Sequence, residues 1–112
     1  MVVDLAPLAR RTIEHARDLL VPITVLIEVA WVLKSVGWSR SQIHQALGTL
    51  ALQPTLHLDR SADVLAALED FRNGPADFAD YLALHQAKTL GARKLLTFDR
   101  KLAKAPGAEQ LV

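Results

Sequence analysis

Cysteine is absent from this chain, which excludes a disulfide framework and a thiolate metal site. Strong charge of one sign is also missing, since the formal net charge is +1 and gives no global attraction to nucleic acid. The longest apolar run, Val21 to Leu33, contains Pro22 and Glu28, so it is too short and too polar to span a membrane. No small-residue cleavage site follows it, which argues against a signal peptide. Together these absences predict a soluble, cytoplasmic protein.

Apolar residues are numerous enough to form a core. They make up 51% of the 112 residues, and the mean hydropathy of +0.19 argues against disorder. The length fits one domain, and the sequence contains no internal repeat, low-complexity tract or interdomain linker. We therefore expect a single domain over residues 1–112.

Helical and strand patterns alternate along the chain, which is typical of an α/β fold with a short parallel sheet flanked by helices. Ser39-Arg-Ser-Gln42 matches a capping box, while Thr24 and either Asp59 or Ser61 are the expected N-caps of two other helices. The predicted helices cover roughly residues 6–20, 24–36, 39–53, 61–72, 77–90 and 100–104, and the predicted strands cover 21–23, 56–58, 95–98 and 109–112.

Three carboxylates near the end of the sequence are the main chemical signal. Asp77 and Asp80 open a predicted helix, and Asp99 ends the short strand that follows it. Ligands of open parallel α/β sheets bind beyond the carboxyl ends of the strands, so we expect these acids to meet there. Clustered carboxylates repel one another unless a cation lies between them, which predicts a hard divalent metal, Mg²⁺ or Mn²⁺. The structural alternative is that these acids only cap helices.

Glu28 is the only polar side chain between Val25 and Leu33, in a helix that is apolar on nearly all sides. Such a helix is expected in the core, where an isolated carboxylate is paired, metal-bound or protonated. No Lys or Arg lies one turn away, so its partner must come from another part of the fold.

Trp31 and Trp38 are predicted to pack in the core or in a dimer contact rather than to stack on bases.

Basic side chains cluster around the last strong strand pattern. Arg93, Lys94, Arg100, Lys101 and Lys104 lie within 12 residues. They have two interpretations. Long cationic side chains solvate the ends of elements, and they also attract phosphate groups to an adjacent acidic metal site.

Three segments share their order and spacing with one known family. They read Pro22-Ile-Thr-Val-Leu-Ile-Glu28, Asp77-Phe-Ala-Asp80-Tyr-Leu-Ala-Leu and Leu95-Leu-Thr-Phe-Asp99-Arg-Lys-Leu. In these segments the chain resembles PIN domains, and among them the VapC-type toxin ribonucleases of bacterial toxin–antitoxin pairs. The resemblance extends over most of the chain, roughly from Leu5 to Leu102.

The resemblance implies a small three-layer α/β fold and Mg²⁺-dependent cleavage of RNA. It also implies that the protein forms a homodimer and binds an antitoxin protein. Carried over by motif, it implies that Glu28, Asp80 and Asp99 are the catalytic residues and metal ligands. Asp77 and Thr97 are auxiliary candidates, and Arg93, Arg100 and Lys101 are the residues expected to bind the RNA backbone.

The family's usual first strand, an apolar segment ending in Asp-Thr-Asn or Asp-Thr-Ser, is missing here. Met1-Val-Val-Asp4 is faintly similar, but Leu5-Ala6-Pro7 replaces the expected polar turn. Asp4 is then either a surviving first-strand acid, and so a further auxiliary candidate, or part of a later loop. In the second case the strand is absent through truncation, a late start codon or degeneration. Two other functions stay open: a non-catalytic remnant that binds a protein or dimerises, and a metal-dependent phosphohydrolase of small substrates.

Overall fold

The computed structural model describes Arg11 and residues 19–112, and all elements named below lie in this part of the chain. The helices are α1 (Ile23–Ser35), α2 (Arg40–Ala51), α3 (Ser61–Asn73) and α4 (Phe78–Thr89), and a 3₁₀ turn covers Leu102–Lys104. The strands are β1 (Leu19–Val21), β2 (Leu56–Leu58), β3 (Leu95–Thr97) and β4 (Ala108–Gln110). The predicted order of elements is confirmed from β1 onward, with strand ends displaced by one or two residues.

The described strands form two parallel sheets of two strands each, β1 with β2 and β3 with β4. Each ladder is short: Leu19 to Val21 pair with Leu56 to Leu58, and Leu95 to Thr97 pair with Ala108 to Gln110. The α/β class and the parallel pairing are therefore confirmed, and the expected sheet takes the form of two separate ladders.

The predicted N-terminal elements are only partly covered by the structure. Asp4 and most of the predicted helix over residues 6–20 lie outside the described residues. Leu19 and Leu20 are described, and they belong to β1 rather than to a helix. The prediction of a helix reaching residue 20 is therefore wrong, because the backbone there hydrogen-bonds across the ladder to β2.

The core lies mainly between α3 and α4. Val64, Leu68 and Phe71 on α3 are buried, whereas Leu65 on the same helix is 52% exposed. Phe71 meets Phe78 of α4 edge to face, with ring centroids 6.3 Å apart, a favoured aromatic geometry. This packing holds the amino end of α4 against the rest of the domain.

α1 is a surface helix, which corrects the prediction that it is a core helix. Leu26 is its one fully buried residue, and Glu28 is exposed. Trp31 of α1 is 75% exposed, and Trp38 beyond its end is 45% exposed. The prediction that these two rings pack in the core is therefore wrong. No helix in the described part of the chain combines the length and hydrophobicity that crossing a bilayer requires.

Of the residues expected to cap helices, Ser39 and Asp77 are confirmed as N-caps, of α2 and α4. The Ser39–Gln42 capping box is present, since the Ser39 N–H donates to Gln42 Oε1 at 2.8 Å and the Gln42 N–H donates to Ser39 Oγ at 3.2 Å. α1 begins after Pro22 rather than Thr24. α3 begins after Arg60, whose φ of 53° is left-handed, rather than after Asp59 or Ser61.

Candidate active site

Asp80 and Asp99 come together although 18 residues separate them in the sequence. Asp80 lies on the first turn of α4, and Asp99 follows β3 by two residues. Their side chains are close enough for each to shift the pKa of the other. Placing two carboxylates side by side raises the pKa of one of them unless a cation lies between them.

Asp80 is the member of the pair that favours the proton. Burial raises its pKa above the ordinary value, and the negative charges of Asp99 and Asp77 act in the same direction. The backbone N–H of Asp77 donates to Asp80 Oδ2 at 3.3 Å and opposes this shift. The capping interpretation of Asp80 therefore holds together with its place in the acidic pair.

Asp99 is the member that favours the charge. Its Oδ1 accepts the backbone N–H groups of Lys101 at 2.8 Å and of Leu102 at 3.4 Å, and the Lys101 bond is the main reason why its pKa is lowered. The Thr97 hydroxyl oxygen accepts the backbone N–H of Asp99 at 3.0 Å, which orients the residue from the end of β3. The site thus offers two carboxyl groups, with pKa values shifted in opposite directions, to a divalent cation.

Glu28 is not part of this arrangement. It forms neither a hydrogen bond nor an ion pair with any residue that the structure describes, and the carboxylates that raise the pKa of Asp80 are those of Asp99 and Asp77. Within Arg11 and residues 19–112, no three His, Cys, Asp or Glu side chains are grouped so as to hold a metal. The three-acid metal site therefore stays a prediction, of which the structure assembles two members.

Asp77 is engaged in an ion pair. Lys34 Nζ, from the last turn of α1, lies 3.1 Å from Asp77 Oδ2 and 3.2 Å from Oδ1, and both side chains are largely exposed. The pair ties the end of α1 to the start of α4. An auxiliary role for Asp77 at the metal stays a prediction.

The basic cluster surrounds Asp99 in sequence and is exposed in the structure. Arg93, Arg100 and Lys101 form no ion pair with a described residue, which leaves their charges available to a ligand. Lys94 differs, because its Nζ lies 3.1 Å from Glu109 Oε2 on the neighbouring strand β4. The assignment of the three unpaired cations to RNA binding is compatible with these positions and remains untested.

Arg40 stabilises the turn that leads into α4, and no sequence pattern indicated this role. Its guanidinium lies 4.0 Å from the centroid of the Phe71 ring and donates to the carbonyls of Phe71, Gly74 and Ala76. These carbonyls end α3 and form the turn into α4, where a cation is favourable. The partners lie 31 to 36 residues away, so no local pattern could have identified them.

A cavity of about 260 Å³ adjoins the acidic pair. Asp77 and Ala79, which precede Asp80 at the start of α4, contribute to its lining, as does Lys101, whose backbone N–H binds Asp99. The other contributors come from α1, the loop after it, α2, the last part of α3, the turn between α3 and α4, and the first residue of α4.

A family model described as PIN domain matches residues 4–108, which include Asp4 and all the candidate acids. No curated protein and no solved structure matches the chain.

Proposed function

Since the chain belongs to the PIN-domain family, whose members are generally metal-dependent nucleases, we propose that it is a Mg²⁺-dependent endoribonuclease of the VapC toxin type. The observation that carries the proposal is the pairing of Asp80 with Asp99, at the start of α4 and beyond the end of β3. An acid in that position faces the region where ligands of parallel α/β folds bind.

The proposed metal ligands are Asp80, Asp99 and Glu28, with Asp77 and Thr97 as auxiliary residues. Mg²⁺ takes only one or two carboxylates and completes its shell with water and substrate oxygens, so the Asp80–Asp99 pair is chemically adequate for it. When bound, Mg²⁺ or Mn²⁺ acidifies water and stabilises charge on the phosphoryl oxygens.

The chain's own residues have separate tasks in this proposal. The N–H groups of Lys101 and Leu102 favour the ionised form of Asp99, and Asp80 would supply the second carboxylate to a bound cation. Thr97 fixes the backbone of Asp99. Arg93, Arg100 and Lys101 bind the RNA backbone through charge, without selecting sequence. The partners proposed with this activity are an antitoxin protein and a second copy of the chain, in the cytoplasm.

The test is cleavage of an end-labelled single-stranded RNA with Mg²⁺ or with EDTA. We expect cleavage with Mg²⁺ only, and a loss of roughly 100-fold or more in Asp99→Asn, because a metal ligand matters at least as much as the groups that support one. Asp59→Asn is the matched control, since Asp59 is an exposed acid that follows β2, in the other sheet. Equal rates in the wild type and Asp99→Asn, or cleavage that persists in EDTA, would contradict the proposal.

A non-catalytic protein-binding or dimerisation module is the second candidate function. It is favoured by the exposure of Glu28 and by the lack of a three-acid group in the described part of the chain. Purified protein with no Mg²⁺-stimulated cleavage of any RNA tested, together with a dimer in analytical ultracentrifugation, would support this candidate over the nuclease.

A further inference from the structure

The cavity beside the acidic pair has an unusually aromatic lining for a chain with 5% aromatic residues. Both tryptophans of the sequence contribute to it, and the other apolar contributors include Phe71, Phe78, Ile27 and Ile43. Phe71 and Phe78 are buried, whereas Trp31 is 75% exposed and Trp38 is 45% exposed. Two large exposed rings at one cavity offer π-faces that the fold itself leaves uncovered.

The charge around the cavity is positive. Lys34, Arg40 and Lys101 line it together with a single carboxylate, Asp77, which Lys34 neutralises. Arg40 is occupied by the carbonyls at the end of α3. The ammonium of Lys101 forms no ion pair with a described residue, so it is available to an anionic ligand at the side of the cavity that adjoins Asp99.

The size of the cavity limits what can occupy it. Its volume of about 260 Å³ lies below the range of roughly 300–1,000 Å³ that drug-sized ligands fill. One planar ring system fits this space better than a protein helix, which needs a longer groove and about 800 Å² of contact on each partner. The aromatic walls, the unpaired ammonium of Lys101 and the small volume together match a nucleotide as the ligand.

We propose that this cavity is a base-binding subsite, in which a base of single-stranded RNA stacks on Trp31 and Trp38 and an adjoining phosphate meets Lys101. The proposal rests on the proposed nuclease function and extends it. Ala79, which precedes Asp80, and Lys101, whose backbone N–H binds Asp99, both line the cavity, so a base held there places its own backbone near the Asp80–Asp99 pair. Stacking is tolerant of base identity, so the subsite selects unpaired nucleotides rather than a sequence.

The experiment uses the intact protein in EDTA, so that binding is measured without cleavage. Trp38→Phe leaves Trp31 as the only tryptophan, and Trp31→Phe leaves Trp38, so each ring reports its own surroundings through fluorescence. The probes are a short oligouridylate and an abasic oligonucleotide with the same number of phosphates. We expect the base-containing probe to quench both single-tryptophan variants and the abasic probe to leave their emission unchanged.

Affinity provides the second measurement. Trp31→Leu is expected to weaken oligouridylate binding by roughly 5- to 100-fold, the usual effect of removing one stacking ring. Leu65→Ala is the matched control, because Leu65 is an exposed apolar side chain on α3 outside the cavity lining. Circular dichroism of every variant establishes that the fold is retained.

The outcomes separate this subsite from the nuclease function. Base-dependent quenching in a protein that cleaves no RNA supports the subsite and contradicts the nuclease. Equal binding of the abasic probe overturns the subsite even when cleavage is normal. Emission that changes with protein concentration alone, or stronger quenching by an amphipathic Leu/Glu-rich helical peptide than by RNA, also overturns it, since a second copy or a protein partner then covers the rings.

Discussion

Asp80 and Asp99 carry the same functional group, and their local surroundings drive their pKa values in opposite directions. Burial raises the pKa of Asp80, while the N–H groups of Lys101 and Leu102 lower the pKa of Asp99. The charge of Asp99 therefore opposes ionisation of Asp80. A divalent cation between the two groups would favour the ionised form of both.

The raised pKa of Asp80 predicts a stability effect of Asp80→Asn. A raised folded-state pKa contributes stability below the unfolded value of 3.8 and loses it as pH rises through the folded pKa. In EDTA at pH 7 we therefore expect Asp80→Asn to increase the free energy of unfolding, and this gain to vanish as pH falls towards 3.8. Urea denaturation across this pH range measures the effect.

Asp99→Asn is expected to change the free energy of unfolding in the opposite direction. Its lowered pKa contributes stability above 3.8, which is lost as pH falls through the folded value, so this variant is expected to be less stable than the wild type at pH 7. Equal pH profiles for the two variants would show that the pKa values of Asp80 and Asp99 are not shifted in opposite directions.

At the scale of elements, the turn between α3 and α4 determines where the site is built. Gly74 lies in this turn, and a Cβ there would lie 1.9 Å from the Tyr81 hydroxyl oxygen and 3.1 Å from the Asp70 carbonyl oxygen. The Tyr81 hydroxyl is buried and accepts the backbone N–H of Ala76 at 3.2 Å. Neither Tyr81 nor the backbone can move without disturbing the start of α4.

Gly74→Ala is therefore expected to destabilise the protein by about 1–3 kcal/mol through overpacking. Gly48→Ala provides the matched control, since Gly48 lies inside α2 and a Cβ there meets no atom within 4 Å. That variant should gain about 0.5–1 kcal/mol from helix propensity. Thermal and urea unfolding measure both changes, and shifts of the same sign in the two variants would contradict the packing described for the turn.

At the scale of the whole molecule, positive and negative charges are nearly balanced, and only their distribution over the chain favours RNA binding. The net charge is +1, yet exposed cations surround the segment from β3 to the 3₁₀ turn. RNA affinity is accordingly expected to depend on a few local contacts. Each phosphate contact on a single strand contributes about 0.7 to the slope of log affinity against log salt concentration.

Arg100→Gln is expected to reduce that slope by about 0.7, because it removes one cation that no described residue neutralises. Lys94→Gln should change it less, since Lys94 is already paired with Glu109. Fluorescence anisotropy of a labelled RNA in EDTA at several salt concentrations measures both slopes. An equal loss of slope in the two variants would indicate that the ion pair with Glu109 does not prevent Lys94 from contacting an RNA phosphate.

The sequence by itself determined the order of elements from β1 onward, the Ser39–Gln42 capping box and the nearness of Asp80 to Asp99. Each of these depends on side-chain spacing over a few residues or on the rule that places functional residues beyond parallel strands. Only the tertiary structure decided that Glu28 and Trp31 are exposed, that Arg40 holds the turn before α4, and that the described strands form two ladders. Burial and long-range hydrogen bonds depend on which faces of distant elements meet, and a helix that is apolar on nearly all sides carries no local signal of the face that packs.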